Sequence, residues 1–186
     1  KSKYTYLKHK FKLNNDNVIE PKFFRLRPPN FPTIRLAQFT MLYFEKKQLF
    51  SQLIRTSQLK DFYEIFNIGT NAYWQDHYNF GVISQKREKR LTHNFVDLLL
   101  INTIIPLKFC YERQHGRDAS EDILLLASTI AAEENSIVKK FNSIKEISKN
   151  AYHSQALLQL KSEYCDKNRC LQCAIGNSII GAHKRL

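Results

Sequence analysis

The sequence contains few of the residues that break regular secondary structure, with only five Gly and five Pro among 186 residues. This scarcity disfavours a disordered chain and a turn-rich all-β fold. Apolar residues at 43% and charged residues at 25% are close to the averages of globular proteins. The length is sufficient to bury a core without a metal or disulfide. We therefore expect one compact helical chain.

Long apolar runs and targeting signals are also lacking. The most apolar run, residues 95–110, is shorter than the roughly 20 residues of a membrane span. It is also interrupted by four polar or helix-breaking residues, Asp97, Asn102, Pro106 and Lys108. No signal peptide opens the chain, and no Gly-rich phosphate loop occurs. With four cysteines and no secretory cue, we predict a cytoplasmic protein with reduced thiols and no membrane partner.

The net charge of +12 is unevenly distributed, because residues 1–30 carry eight Lys or Arg against Asp16 and Glu20. The alternating stretch KYTYLKHKFKL and the turn signal NNDN predict a short extended or hairpin arm in this region. The first residues lack an apolar stretch and an initiating Met. We therefore predict a basic arm or linker at 1–30, following a missing N-terminal half, and a helical domain at 31–186.

Helical periodicity begins near Thr33 and continues to the end of the chain. Leu59, Phe62, Tyr63 and Phe66, for example, have the i, i+3, i+4, i+7 spacing of one helix face. The predicted fold class is all-α, an orthogonal multi-helix bundle of seven or eight helices. Further along, Asn135 and Asn150 are predicted helix caps, and Pro106 is predicted to kink a long helix.

Four stretches occur in a distinctive order, namely RLRPPNFPTIRLAQF (25–39), YWQDHYNFG (73–81), LLLINTIIPLKFCY (98–111) and SQALLQLKSEYCDKNRCLQCAIG (154–176). Over residues 22–181 the sequence resembles an uncharacterised bacterial protein family of unknown function. The resemblance implies that this region is the C-terminal half of a longer protein. The N-terminal half of that family has Asp, Glu and His on apolar strands and is similar to nuclease-like folds. No chemistry follows from this resemblance for the residues present here.

Three cysteines have the spacing C-x4-C-x2-C, at Cys165, Cys170 and Cys173, and Cys110 is a candidate remote fourth ligand. Four thiolates at such spacing can hold zinc or an iron–sulfur cluster. The helical flanks instead favour Cys165 and Cys173 as small buried hydrophobic residues. A disulfide between two of the three is a third reading. We predict no cofactor, with the four-cysteine metal site as the alternative.

Basic side chains near the proline-rich turn form the candidate polyanion site. Arg25 and Arg27 are expected to point the same way on an extended segment, and Arg35 follows a helix N-terminus near Pro32. Guanidinium groups and free backbone N–H groups together can bind phosphate. The alternative is that these arginines pair with carboxylates. The QKREKR run adds further cations, Lys86, Arg87, Lys89 and Arg90.

Asp76 and His77 lie in an aromatic segment, where a general base is one interpretation and a packing loop with hydrogen-bonded polar groups is the favoured one.

Taken together, the sequence predicts an accessory helical module of a longer bacterial protein that binds nucleic acid or another polyanion and is not an enzyme by itself. The helical half of a nuclease-like enzyme, with catalytic residues in the missing half, is one alternative. A protein-interaction scaffold is the other.

Overall fold

The computed structural model describes residues 2–182, with side chains described to residue 180. The chain divides into two compact units: unit 1 comprises residues 1–40 and 70–89, and unit 2 comprises residues 41–69 and 90–186. The predicted all-α class is confirmed in its main feature, because the described residues are mostly helical. The predicted division at residue 30 stays a prediction.

The helices and strands follow one another along the chain with short connections. The α-helices are α1 Ser2–Lys10, α2 Pro32–Glu45, α3 Leu49–Arg55, α4 Leu59–Ile65, α5 Ala72–Gln75, α6 His93–Leu99, α7 Ile105–Gln114, α8 Ser120–Thr129, α9 Ser136–Ile144, α10 Ala151–Gln159 and α11 Ala174–Ala182. The 3₁₀ turns are Pro28–Asn30 and Cys170–Gln172, and the π-helical segments are Leu100–Ile104 and Leu160–Cys165. The strands are β1 His77–Asn79 and β2 Val82–Ile83. The described helices exceed the seven or eight predicted, and the two-stranded sheet was not predicted.

The predicted extended or hairpin arm is wrong for residues 2–10, which form helix α1. The alternation of Tyr4 and Tyr6 suggested a strand, but a strand requires a hydrogen-bonded neighbour. A helix satisfies its backbone internally, and the last turn of α1 carries Lys8, His9 and Lys10, where positive charge interacts favourably with the helix dipole. Residues 13–27 that follow are irregular, with isolated turns.

Unit 1 is organised around the hairpin of β1 and β2, which pair antiparallel. The Thr33 hydroxyl donates to the Tyr78 carbonyl at 2.6 Å, and the Phe31 and Tyr78 rings lie edge to face at 6.3 Å. The buried Gln38 amide donates to the Lys89 carbonyl at 3.1 Å. The first turns of α2 are therefore fastened to the segment that contains the hairpin.

Unit 2 has a hydrophobic core that includes one face of the long helix formed by α6, the first π segment and α7. Its buried members are Leu42, Leu49, Leu53, Phe62, Phe66, Ile68, Val96, Leu100, Ile101, Ile104, Leu126, Ile130 and Ala151. Pro106 is the second residue of α7, so only Ile105 separates it from the π segment, and a proline is tolerated in the first turn of a helix.

The prediction that the apolar run is too short to cross a membrane is wrong for the length of this helix. It spans residues 93–114 continuously, and its most apolar window has a mean hydropathy of 1.3. By length and composition it is one candidate span within the described residues, and core helices pass the same test. Its residues Val96, Leu100, Ile101 and Ile104 pack in the core of unit 2.

Candidate functional site

Arg25 and Arg27 are exposed in unit 1, and Arg25 lies within a turn that the Leu26 N–H closes by donating to the Phe23 carbonyl at 3.2 Å. Arg25 has a left-handed backbone with φ of 61°, whereas Arg27 is extended with φ of −75° and ψ of 146°. The left-handed residue interrupts the strand-like alternation on which their predicted common direction depended. The Arg25 guanidinium carbon lies 5.0 Å from the centre of the Phe24 ring. The arginine and this ring thus form a cation–π contact.

Arg35 is partly buried and forms hydrogen bonds with two side-chain amides. Its Nη1 donates to Gln38 Oε1 at 2.9 Å, and its Nη2 donates to Asn30 Oδ1 at 2.6 Å. Burial lowers the pKa of Arg35 from its ordinary value. Because Asn30 ends the proline turn, Arg35 holds that turn against the first residues of α2.

The QKREKR run is divided by the structure. Lys86 and Arg87 are exposed, and the Arg87 backbone N–H donates to the Gln75 carbonyl at 2.8 Å. Arg90 belongs to unit 2, where its Nη1 donates to the carbonyl and the side-chain oxygen of Asn67 at 3.2 and 3.1 Å. Lys86 and Arg87 thus belong to unit 1 and Arg90 to unit 2.

Lys89 is also removed from the predicted polyanion-binding set, because it is only 6% exposed. Its ammonium donates to the carbonyls of Trp74 and Gln75, the latter at 2.8 Å, and lies 4.1 Å from the centre of the Tyr78 ring. Burial lowers its pKa. A lysine at this position satisfies carbonyls at the end of the short helix α5, so it stabilises the loop instead of meeting a ligand.

Exposed aromatic rings accompany the exposed cations of unit 1, and sequence reasoning did not assign them a role. Phe24 is 79% exposed and Phe80 is 75% exposed. Phe80 is supported from one side by Trp74, with ring centres 5.0 Å apart. The signal in the sequence was the adjacency of Phe24 to Arg25 and the position of Phe80 beside the Gly81 turn.

Charge is concentrated in the same unit. The residues of unit 1 include twelve Lys or Arg against four Asp or Glu, so this third of the chain carries +8 of the net +12. We use the name basic–aromatic set for the exposed phenylalanines, lysines and arginines of residues 24–27 and 80–87, which are Phe24, Arg25, Arg27, Phe80, Lys86 and Arg87.

Asp76 and His77 do form a pair. His77 Nδ1–H donates to Asp76 Oδ1 at 2.7 Å and lies 2.9 Å from the Tyr73 carbonyl, while the Tyr73 ring stacks on the imidazole at 4.0 Å. The hydrogen bond from His77 is the main cause that holds the pKa of Asp76 below its ordinary value. Stacking and hydrogen bonding agree with the favoured interpretation, a packing loop whose polar groups are satisfied.

The cysteines do not assemble the four-thiolate site considered from sequence. All four are free thiols; Cys173 is buried as predicted, but Cys165 is exposed, as are Cys110 and Cys170. Within residues 2–182, no group of three or more His, Cys, Asp or Glu is placed to share a metal ion. Cys165, Cys170 and Cys173 instead line an apolar groove in unit 2.

The fold and these surfaces define a basic, mostly helical protein with a small β-hairpin. A family model described as "Protein of unknown function (DUF2851)" matches residues 1–136, and the chain belongs to this family. The match begins and ends earlier than the resemblance over 22–181, so the three-cysteine stretch lies beyond it. The comparison with curated proteins and the comparison with solved structures returned no match.

Proposed function

We propose that this chain is an accessory helical module of a longer bacterial protein and that unit 1 binds nucleic acid. The observation that carries the proposal is the basic–aromatic set, in which four exposed cations accompany two aromatic rings that are at least 75% exposed. The proposal places the protein in the cytoplasm, where thiols such as its four free cysteines stay reduced.

Phosphate contacts provide the affinity in this proposal. Arg25, Arg27, Lys86 and Arg87 are exposed, and long cationic side chains on a surface with excess positive charge attract a phosphate backbone and release its counterions. Such contacts carry no sequence information by themselves. We therefore expect binding that depends steeply on salt and weakly on base sequence.

The two phenylalanines indicate the form of nucleic acid. A ring that is largely exposed offers a face on which an unpaired base can stack, and every base has such a face. Phe24 lies under the Arg25 guanidinium, and Phe80 is braced by Trp74. A single strand can use both the cations and the rings, whereas the bases of a duplex are already stacked.

The experiment is a titration with a labelled single-stranded oligonucleotide at several salt concentrations. Each neutralised phosphate contributes about −0.7 to the slope of log affinity against log salt on a single strand. Replacing the four cations Arg25, Arg27, Lys86 and Arg87 with Gln is expected to flatten this slope by up to about 2.8. The double variant Phe24→Ala, Phe80→Ala should weaken binding but leave the salt slope unchanged.

The matched control removes the same charge from exposed positions of unit 2, with Gln at Lys47, Lys60, Lys149 and Arg169. This variant should bind with nearly the affinity and salt slope of the unmodified chain. If both quadruple variants lose the same affinity, the binding reflects net charge alone. If the unmodified chain does not bind at low salt, the proposed function is wrong.

A further inference from the structure

An apolar groove of about 460 Å³ lies within unit 2, between α9, the second π segment and α11. Its volume is within the range of small-molecule sites in proteins. The lining is almost entirely aliphatic, aromatic or thiol, and consists of Phe141, Ile144, Lys145, Ile147, Leu157, Leu160, Tyr164, Cys165, Cys170, Cys173, Ile175, Gly176 and Ile179. Polar side chains that would fix a sugar, base or peptide backbone are rare in this lining.

Two irregular features build one wall of the groove. The π segment Leu160–Cys165 contributes Leu160, Tyr164 and Cys165 to the lining, and π-helical turns inside α-helices are frequent at functional sites. Gly176 allows α11 to approach the turn Cys170–Gln172, since a Cβ at this position would lie 2.3 Å from the Cys170 carbonyl oxygen. The groove therefore depends on a close backbone contact that only glycine permits.

Positive charge is found beside this apolar lining. Lys145 lines the groove and is exposed, and a neighbouring cavity of about 290 Å³ shares Phe141 and Ile144 with the groove and adds Lys140 and Lys161. Lys161 pairs with Asp166. Among the described residues Lys140 and Lys145 form no ion pair. Two lysines thus border the apolar groove, and within the described part of the chain neither forms an ion pair.

We propose that this groove binds a long-chain carboxylate, with the hydrocarbon chain in the groove and the carboxylate at Lys145 and Lys140. The apolar lining selects a hydrocarbon chain, because burying it removes apolar surface from water with no polar group left unsatisfied. The two ammonium groups select an anionic head over a neutral or cationic one. The site is in unit 2 and uses different chemistry from the proposed nucleic-acid surface, so neither proposal depends on the other.

The test measures affinity for octanoate, decanoate and dodecanoate below their micelle concentrations by isothermal titration calorimetry. Affinity should rise about fourfold for each added methylene that enters the groove. Dodecanol and dodecyltrimethylammonium carry the same tail and should bind more weakly than dodecanoate. Lys140→Gln with Lys145→Gln should remove this preference, whereas Lys149→Gln, at an exposed lysine outside the lining, should keep it.

Ile144→Asp tests the groove without removing a core residue, because Ile144 is 86% exposed and lines both cavities. This variant should abolish dodecanoate binding. The matched control is Leu125→Asp in α8, where Leu125 is 66% exposed and outside the groove. The control should bind dodecanoate normally, and both variants should keep the circular dichroism of the unmodified chain.

Thiol alkylation gives a second measurement that locates the ligand. Bound dodecanoate should slow the alkylation of Cys165 and Cys170, which line the groove, and leave that of exposed Cys110 unchanged. Equal slowing of all three thiols would overturn the proposal, as would affinity that is independent of chain length. Equal loss of binding in Ile144→Asp and Leu125→Asp would also overturn it. If Ile144→Asp instead dissociates a dimer in sedimentation and no carboxylate binds, a second copy occupies the groove and the ligand proposal is wrong.

Discussion

Replacing Lys108 with Met is expected to destabilise unit 2 by removing a cation that binds the end of helix α3. The Lys108 ammonium donates to three carbonyls at this end, those of Leu53 at 3.2 Å, Thr56 at 2.8 Å and Ile54. The last carbonyls of a helix lack intrahelical partners and carry the negative end of its dipole. Lys108 thus satisfies α3 from a helix more than 50 residues further along the chain.

The size of the effect follows from these contacts. A hydrogen bond to a charged group contributes about 1.5–3 kcal/mol, and a cation at a helix C-terminus about 0.3–1 kcal/mol. The three bonds are not additive, and the desolvation that lowers the pKa of Lys108 offsets part of the gain. Met keeps most of the apolar stem. We expect a net loss of about 2–3 kcal/mol in the free energy of unfolding.

Urea unfolding followed by far-UV circular dichroism measures this loss, and thermal unfolding should show a decrease in Tm of about 4–12 °C for a chain of this length. The matched control is Lys60→Met, because Lys60 is exposed and pairs with Glu64, 3.9 Å away at the i+4 position. An exposed pair of this type contributes about 0.5 kcal/mol or less. If Lys108→Met and Lys60→Met change the urea midpoint equally, the reasoning about α3 is refuted.

Gly176→Ala should destabilise the protein by about 1–2 kcal/mol, since the added Cβ would meet backbone atoms of Cys170, although Ala is intrinsically better than Gly in a helix by about 1 kcal/mol. The sign of the change in the free energy of unfolding, measured with urea, shows which of these two effects is larger. Ser178→Ala in the same helix is the control and should be neutral or stabilising. His77→Ala should raise the pKa of Asp76 towards its ordinary 3.8, because the hydrogen bond from His77 holds that pKa low. A carboxyl-carbon NMR titration measures this pKa, and an unchanged titration midpoint of Asp76 in the variant would contradict the role of His77. In the unmodified chain, the contribution of Asp76 to stability is present above its ordinary pKa. This contribution is lost as the pH falls through the lower pKa of the folded state.

Local rules predicted those features whose cause lies within a few residues. Asn135 was predicted as a helix cap, and its side-chain oxygen accepts from the N–H groups of Ile137 and Val138 at 3.1 and 2.9 Å. The spacing of Phe62 and Phe66 predicted an inward face, and these side chains are 0% and 3% exposed. A cap needs only the adjacent turn, and an apolar face needs only the helix period.

Features that depend on distant chain segments could not be predicted in this way. Lys89 belongs to a charge run and was predicted to bind a polyanion, but carbonyls 14 and 15 residues earlier bind its ammonium. The cysteine spacing matched a metal motif, yet whether Cys110 approaches the other three depends on how separate helices pack. The exposure of Phe24 and Phe80 is likewise a tertiary property, since phenylalanine is usually buried.

The two proposals involve anions of different kinds, so an effect of one ligand on the other requires interpretation. Dodecanoate can lower oligonucleotide affinity either by direct competition for the cations Arg25 and Arg27 or by occupying the groove in unit 2. Direct competition depends on the head group alone, so acetate would compete as well as dodecanoate and Ile144→Asp would leave the effect intact. An effect through the groove requires the long tail and disappears in Ile144→Asp. Only the second result would mean that the ligand site in unit 2 controls the binding surface in unit 1, and linkage would then require the oligonucleotide to weaken dodecanoate binding by the same factor.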